Sequence, residues 1–293
     1  MVKNLKMHNC PACNNEGKLK FSQNIEKDLF TNTTFSSRKN PELMHHDLYQ
    51  CGNCETLFTN DPFDYDELIH EYRKAGYDSN LEAEFAARTY VKLCTKFINT
   101  KVESVLDVGT GNGSFLYELE KTWNDTKLVG LEPSLSAIKK LTTSAVEIYP
   151  HSLEEAKFDY KFDLVTCFQT IEHVINPQAW VNRFSDLLTE KGLVSITCHN
   201  HKSVVNRIMG KKSPIFDNEH LQNLTKKGIR NMFEKNGFEI LQLDSYRNNY
   251  PLSYWIKVSP LQKGIKKLLL RSNLAKIKLP INVGNIYLLG RKL

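Results

Sequence analysis

"SVLDVGTGNGSF", residues 104–115, decides the fold. An apolar run stops at Asp107, and glycines come next at alternate positions, Gly109, Gly111 and Gly113. A run of this kind suits a strand buried on both faces. Glycines directly after it permit positive φ and let a ligand approach the backbone closely. "GTGNG" then opens a helix near Ser114. In a doubly wound sheet the ligand binds beyond the carboxyl ends of the strands, where strand order reverses, and the first strand feeds that crevice.

The surrounding pattern agrees. Apolar strand signals at "SVLDVG", "KLVGLE", "VEIYP", "FDLVTCF", "LVSITC", "FEILQLDSY" and "IYLLGRK" alternate with helical stretches, among them "SFLYELEKTW", "LSAIKKLTT", "PQAWVNRFSDLLTEKG" and "TKKGIRNMFEKNG". Such alternation predicts an α/β fold, a mostly parallel seven-stranded sheet with helices on both faces. A basic insertion at about 247–283 separates the last two strands, and a closing antiparallel strand fits the end. Before this domain (101–293) lie a cysteine-bearing segment, 1–60, and a helical connector, 61–100. In the connector Leu81, Phe85, Tyr90, Leu93 and Phe97 recur at near-helical spacing and should pack on the sheet domain.

Composition is that of an ordinary globular protein, 41% hydrophobic and 25% charged. No apolar run approaches the roughly 20 residues that span a bilayer, and the N-terminus carries no secretory h-region. A cytoplasmic protein is the expectation. The net charge of +6 is uneven: residues 245–293 hold ten Lys or Arg and no Asp or Glu, which leaves the rest at −4. That tail suits an acidic partner (a phosphate, a nucleic acid or an anionic membrane surface) or is a solvated face with snorkelling lysines.

The glycine spacing differs from the Gly-x-Gly-x-x-Gly of dinucleotide sites. Asp107 puts a carboxylate at the loop, a poor host for pyrophosphate and a good one for a cationic amine. Glu132, 25 residues on at the end of the next strand, can accept hydrogen bonds from both hydroxyls of a ribose. The ligand suggested is a nucleoside with a positive, amine-bearing extension.

Taken together, "VLDVGTGNGSF", "LVGLEPS" and "FDLVTCFQTIEHVINP" resemble the motifs of class I S-adenosylmethionine-dependent methyltransferases over residues 101–245. The resemblance implies a Rossmann-like methyltransferase fold and S-adenosylmethionine as donor. It implies Asp107 and the 109–113 backbone (Gly109, Thr110, Gly111, Gly113) at the methionine portion, with Phe168 and Gln169 lining that side. Glu132, followed by Pro133, would hold the ribose. Ser152 and Leu153 would lie near the adenine, where many members have an acidic residue.

Methyl transfer needs alignment and, for a hydroxyl or carbon acid, a base. His173 in "TIEHVINP", His199 and His201 in "CHNH", and Glu219 and His220 in "DNEHLQNLT" are the candidates. The last segment resembles the Glu-His of sugar and ubiquinone-type methyltransferases, which implies an acceptor-side place for Glu219 and His220. The plainer reading gives His173 a turn-capping role and His220 a polar gap.

The seven cysteines include two Cys-x-x-Cys pairs, Cys10/Cys13 and Cys51/Cys54, with 37 residues between them. Two such turns complete a tetrahedral site for structural zinc. Cys167 and Cys198 lie in strand-like runs and read as core. A zinc ribbon before this fold resembles sugar C-methyltransferases and certain ribosomal RNA guanine methyltransferases. The expected function is methylation of a sugar or glycan acceptor, nucleotide-linked, lipid-linked or of a surface polysaccharide and thus phosphate-bearing. O-methylation fits best, because the further C-terminal domain of the sugar C-methyltransferases is missing. RNA-base methylation is the alternative, disfavoured because the ribbon and residues 101–244 are not basic; a non-enzymatic binding module that retains the fold is a third, against which the intact Asp107, glycines and Glu132 argue. Residues 260–281 can form an amphipathic segment that lies on the inner membrane face or packs as a lid.

Overall fold

The computed structural model describes residues 9–26, 43–60, 64–75, 81–138, 146–259 and 261–293. Three short strands open it: β1 (Gly17–Phe21), β2 (Leu48–Cys51) and β3 (Leu57–Thr59), an antiparallel meander. Helices α1 (Tyr65–Lys74) and α2 (Leu81–Phe97) come next. The alternating region contains β4 (Ser104–Val108), α3 (Ser114–Glu120), β5 (Lys127–Leu131), α4 (Leu135–Ile138), β6 (Glu147–Tyr149), β7 (Phe162–Phe168), α5 (Pro177–Leu187) and β8 (Leu188–Cys198). Then come α6 (Val204–Met209), β9 (Gln222–Asn223), α7 (Lys226–Lys235) and β10 (Phe238–Ser245). The insertion is β11 (Asn248–Pro251), α8 (Leu252–Val258), α9 (Lys263–Leu270) and β12 (Lys278–Ile281), and β13 (Ile286–Lys292) closes the order.

The main sheet runs β10-β13-β8-β7-β4-β5-β6. The pairings from β8 to β6 are parallel; β13 lies antiparallel between β10 and β8. This is the seven-stranded, mostly parallel Rossmann-like methyltransferase sheet expected, with the antiparallel closing strand in place. Its central strands bury side chains on both faces. Val105 and Leu164 meet α2 and α3, with Phe85, Tyr90, Leu93 and Phe97 on that side. Leu106, Val165 and Ile196 meet Trp180 and Phe184 of α5 and Ile229 and Phe233 of α7. Cys167 and Cys198 are fully buried core residues.

Two features differ from the pattern reading, and one falls partly outside the described residues. Helix α5 starts as "INP" dictates, with Asn176 accepting from Ala179 N–H and Pro177 in the first turn. It ends at Leu187, short of Gly192, because Leu188 is already extended and pairs with Phe162; Lys191, at φ +60°, absorbs the irregularity within β8. Helix α4 is described only to Ile138, and the rest of "LSAIKKLTT" lies outside the described residues. Finally, β9 was not expected: it adds to β3, so the ribbon sheet runs β1-β2-β3-β9. The ribbon also shares the domain's core. Cys10, Cys54 and Phe58 belong to the same buried cluster as Leu224 and Ile229. Thr225 Oγ1 donates to Cys54 O at 2.6 Å, and Gln178 Nε2 to Ala12 O at 3.3 Å.

Candidate active site

A cavity of about 570 Å³ opens at the carboxyl ends of β4, β5, β7 and β8, within the range of small-molecule sites. Its donor-side wall begins with the glycine loop. Gly109, Gly111 and Gly113 all have positive φ, between 58° and 75°. At Gly109 a side chain is excluded twice over, since a Cβ there would fall 2.5 Å from Thr170 Oγ1. Gly113 caps α3 and does not line the cavity; Asp107, Gly109, Thr110 and Gly111 do.

Asp107 is buried, and its Oδ1 accepts from Thr166 Oγ1 at 2.6 Å. Burial raises its pKa to about 6, against the lowering effect of the Thr166 and Thr110 hydroxyls. Glu132 accepts from Gly111 N–H and from Ser134 N–H, both at 2.8 Å, so the carboxylate clamps the loop it faces. Burial takes Glu132 to about 7. Pro133, Ser152 and Leu153 line the cavity as expected. Phe168 stacks on Tyr90 at 4.4 Å and meets Phe115 edge-on at 4.8 Å. Gln169, at φ +53°, turns the chain out of β7, and its Nε2 donates to Tyr246 Oη at 3.4 Å. Positive φ in a non-glycine residue is stored strain, and it occurs here at the edge of a ligand cavity.

The sequence reading missed several lining residues. His151, Glu154 and Trp180 join Ser152 and Leu153, and Trp180 Nε1 donates to Glu154 Oε1 at 2.6 Å. A carboxylate is therefore present on this wall, two residues after the serine that departs from the acidic pattern. Tyr72 of α1, and Asn248, Tyr250, Tyr254 and Trp255 of the insertion, form much of the opposite end. No local signal marks these; topology alone gathers them.

His173, Glu219 and His220 also come together at this end, their donor atoms within 4.8 Å of one another. His173 closes a one-turn 3-10 helix, Ile171–His173, just past β7. Its Nδ1–H donates to Glu219 O at 3.1 Å, and His220 Nδ1–H donates to Ile215 O at 2.9 Å. A carbonyl can only accept, so Nδ1 carries a proton in both rings, and in the neutral form of each the lone pair is on Nε2. The ring centroids are 4.7 Å apart. His199 lines the cavity too, 5.0 Å from His220, with Nδ1 3.2 Å from Asn285 Oδ1. Buried Glu172 backs it, accepting from His199 N–H at 3.1 Å. Burial lowers His199 to about 4, so it is neutral at physiological pH. His201 is not at the site; its Nε2–H donates to Glu55 O of the ribbon at 2.7 Å, which makes it a fastening residue. Among the described residues no Lys or Arg lines the cavity.

The other predicted centre lies in the ribbon. Cys10 Sγ is 3.5 Å from Cys54 Sγ, and Cys13 Sγ is 3.4 Å from Cys51 and 3.5 Å from Cys54. Zinc–sulfur bonds of about 2.3 Å imply tetrahedral S···S separations of roughly 3.8 Å, so this cluster is compatible with zinc. Asn53 N–H and Cys54 N–H both point at Cys51 Sγ, at 3.4 and 3.5 Å, a turn that stabilises thiolate.

Comparison with known proteins decides the family. A methyltransferase-domain profile matches residues 72–243, more than half of the chain and the whole donor-side cavity wall. The chain belongs to the class I S-adenosylmethionine-dependent methyltransferases. An uncharacterised protein of Methanocaldococcus jannaschii is 32% identical over 57% of this methyltransferase and 68% of its own length. The ubiquinone biosynthesis O-methyltransferase of Escherichia coli is 26% identical over 61% of this chain and 78% of its own. A putative methyltransferase of Invertebrate iridescent virus 6 is 26% identical, and the match spans 43% of that protein. Among solved structures, the plantazolicin methyltransferase in complex with SAH covers 78% of the chain and 92% of its own at a TM-score of 0.51 and 14% identity, a likeness of fold.

Proposed function

We propose that this methyltransferase O-methylates a hydroxyl of a sugar or glycan acceptor, with His173 as the base. The observation that carries the reading is the His173–Glu219–His220 cluster, set in a cavity wall without Lys or Arg among the described residues. With Nδ1–H bonded to Glu219 O, Nε2 is the basic nitrogen of the neutral His173 ring and the atom that would take up a proton. Glu219 and His220 orient the hydroxyl and stabilise the imidazolium as it forms. Tyr72, Tyr250 and Tyr254 offer flat faces to a sugar ring. Such a wall favours an uncharged, hydroxyl-rich moiety; a phosphate on the acceptor sits outside, toward the basic C-terminal region. It also disfavours a polyanion such as RNA, whose binding depends on cationic neutralisation.

The donor supplies an electrophilic methyl group. Asp107 would receive its ammonium, Glu132 its ribose hydroxyls, and Ser152, Leu153 and Glu154 would surround its adenine. The four cysteines would hold a structural zinc.

The test is incubation with methyl-labelled donor and a panel of nucleotide-linked, lipid-linked and free glycans, read by mass spectrometry. The expected product is a methyl ether. His173→Ala should slow turnover about 10²-fold or more while calorimetric donor affinity holds. A methylated nitrogen, or equal loss of donor binding and turnover, would overturn the reading.

A further inference from the structure

Exposed large apolar side chains concentrate in one place. Leu261, Ile265, Leu268, Leu269, Leu270, Leu274 and Ile277 are all exposed, Leu268 at 71% and Leu274 at 61%. They fall within 17 consecutive positions of the insertion and make up half of the exposed large hydrophobics among the described residues. At about 100° per residue, Ile265, Leu268 and Leu269 of α9 fall within one arc of roughly 100°. Residues 257–278 also hold Lys257, Lys263, Lys266, Lys267, Arg271, Lys276 and Lys278, with no Asp or Glu. An exposed apolar arc is costly in water and marks a contact site. Joined to an uninterrupted basic set, it has the composition of an interfacial helix on anionic lipid.

Position strengthens the case. Helix α8, packed on α9, lines the acceptor end of the cavity through Tyr254 and Trp255. Helix α6 lines the same cavity through Val205, Asn206 and Met209, and it too turns apolar side chains outward: Val204 is 62% and Ile208 81% exposed. Arg207, Lys211 and Lys212 accompany them. Close contact of Ser203 with Gly284 sets α6 beside the end of the insertion. Helix α6, which walls the acceptor end, and α9, which packs on the walling helix α8, therefore both show the solvent an apolar and basic outer surface. No helix among the described residues is long and apolar enough to cross a membrane, so the contact is a surface one.

We infer that the outer face of residues 261–277 docks the enzyme on an anionic lipid surface, with the mouth of the acceptor cavity toward the headgroups. The docking claim stands whichever acceptor is methylated.

Flotation of the full chain with phosphatidylglycerol vesicles and with phosphatidylcholine vesicles tests it. Wild-type protein should float with the anionic vesicles at least tenfold more than with the neutral ones. Leu268→Glu with Leu274→Glu should reduce that association at least tenfold, and Lys267→Glu with Arg271→Glu should reduce it and its sensitivity to salt. Donor calorimetry should show all variants folded and unchanged in donor affinity. Absence of anionic-vesicle binding, equal binding to both lipids, or binding undiminished in the leucine variant would overturn the inference. So would a self-associated species in ultracentrifugation that the leucine variant disperses without any vesicle binding, because the face would then join copies of this chain.

Discussion

Asp107 and Glu132 both line the cavity at the ends of neighbouring strands, and under the proposed donor site their charge state would control donor binding. Burial sets them at about 6 and about 7. Under that assignment both must be ionised to receive an ammonium and a diol, so donor binding would release protons below neutrality. Affinity should therefore rise with pH through 6–7 and level off above. Calorimetry should find binding about tenfold weaker at pH 6 than at pH 8. Glu132→Gln should weaken it by about tenfold or more at pH 8 and flatten the profile; a flat wild-type profile would contradict the assignment. At this scale the convergence of Asp107, the glycine loop and Glu132 on one cavity wall was legible in the sequence, because they sit at the ends of neighbouring strands. Glu154, Trp180 and Tyr72 were not, since no spacing in the chain announces that separate elements bring them to one wall. Nor did spacing separate His199, at the cavity, from His201, two residues on and bound to the ribbon.

Between elements, the contact of α7 with the ribbon is drawn tight at a glycine. A Cβ on Gly228 would fall 2.3 Å from Thr56 Oγ1 and 3.5 Å from Ala12 Cβ. Thr225 caps the same turn, its hydroxyl accepting from Gly228 N–H and donating to Cys54 O. Gly228→Ala should cost about 1–3 kcal/mol by overpacking, seen as a lowered melting temperature. Thr56→Ala in that background should recover part of the loss. This contact was invisible in the sequence. "TKKGIRNMFEKNG" reads correctly as a helix, but periodicity says nothing of which neighbour its first turn meets. The two-residue β9 is likewise too short to carry a strand signal, yet it ties the Glu219–His220 segment to β3.

Across the whole molecule, the ribbon and the acceptor end are one mechanical unit. Leu221 N–H donates to Glu172 O, Gln222 Nε2 donates to Ile171 O and Val174 O, and Gln222 and Asn223 pair with β3. Metal binding contributes on the order of 10 kcal/mol to small thiolate ribbons. Cys54→Ser or chelation should remove about one zinc per chain by elemental analysis and lower the melting temperature. Turnover should fall further than donor affinity, since Asp107 and Glu132 lie on the main sheet. Retention of full activity without metal would contradict this coupling. The insertion is built otherwise. Its two ends run side by side in β11 and β12, from Asn248 beside Ile281 to Pro251 beside Lys278. Chain between paired ends can lengthen, shorten or change sequence at small entropic cost, while the strands of the main sheet stay in register. Descendants of this chain could thus acquire new acceptors by exchanging a single cassette, with the methyl-donating half inherited intact.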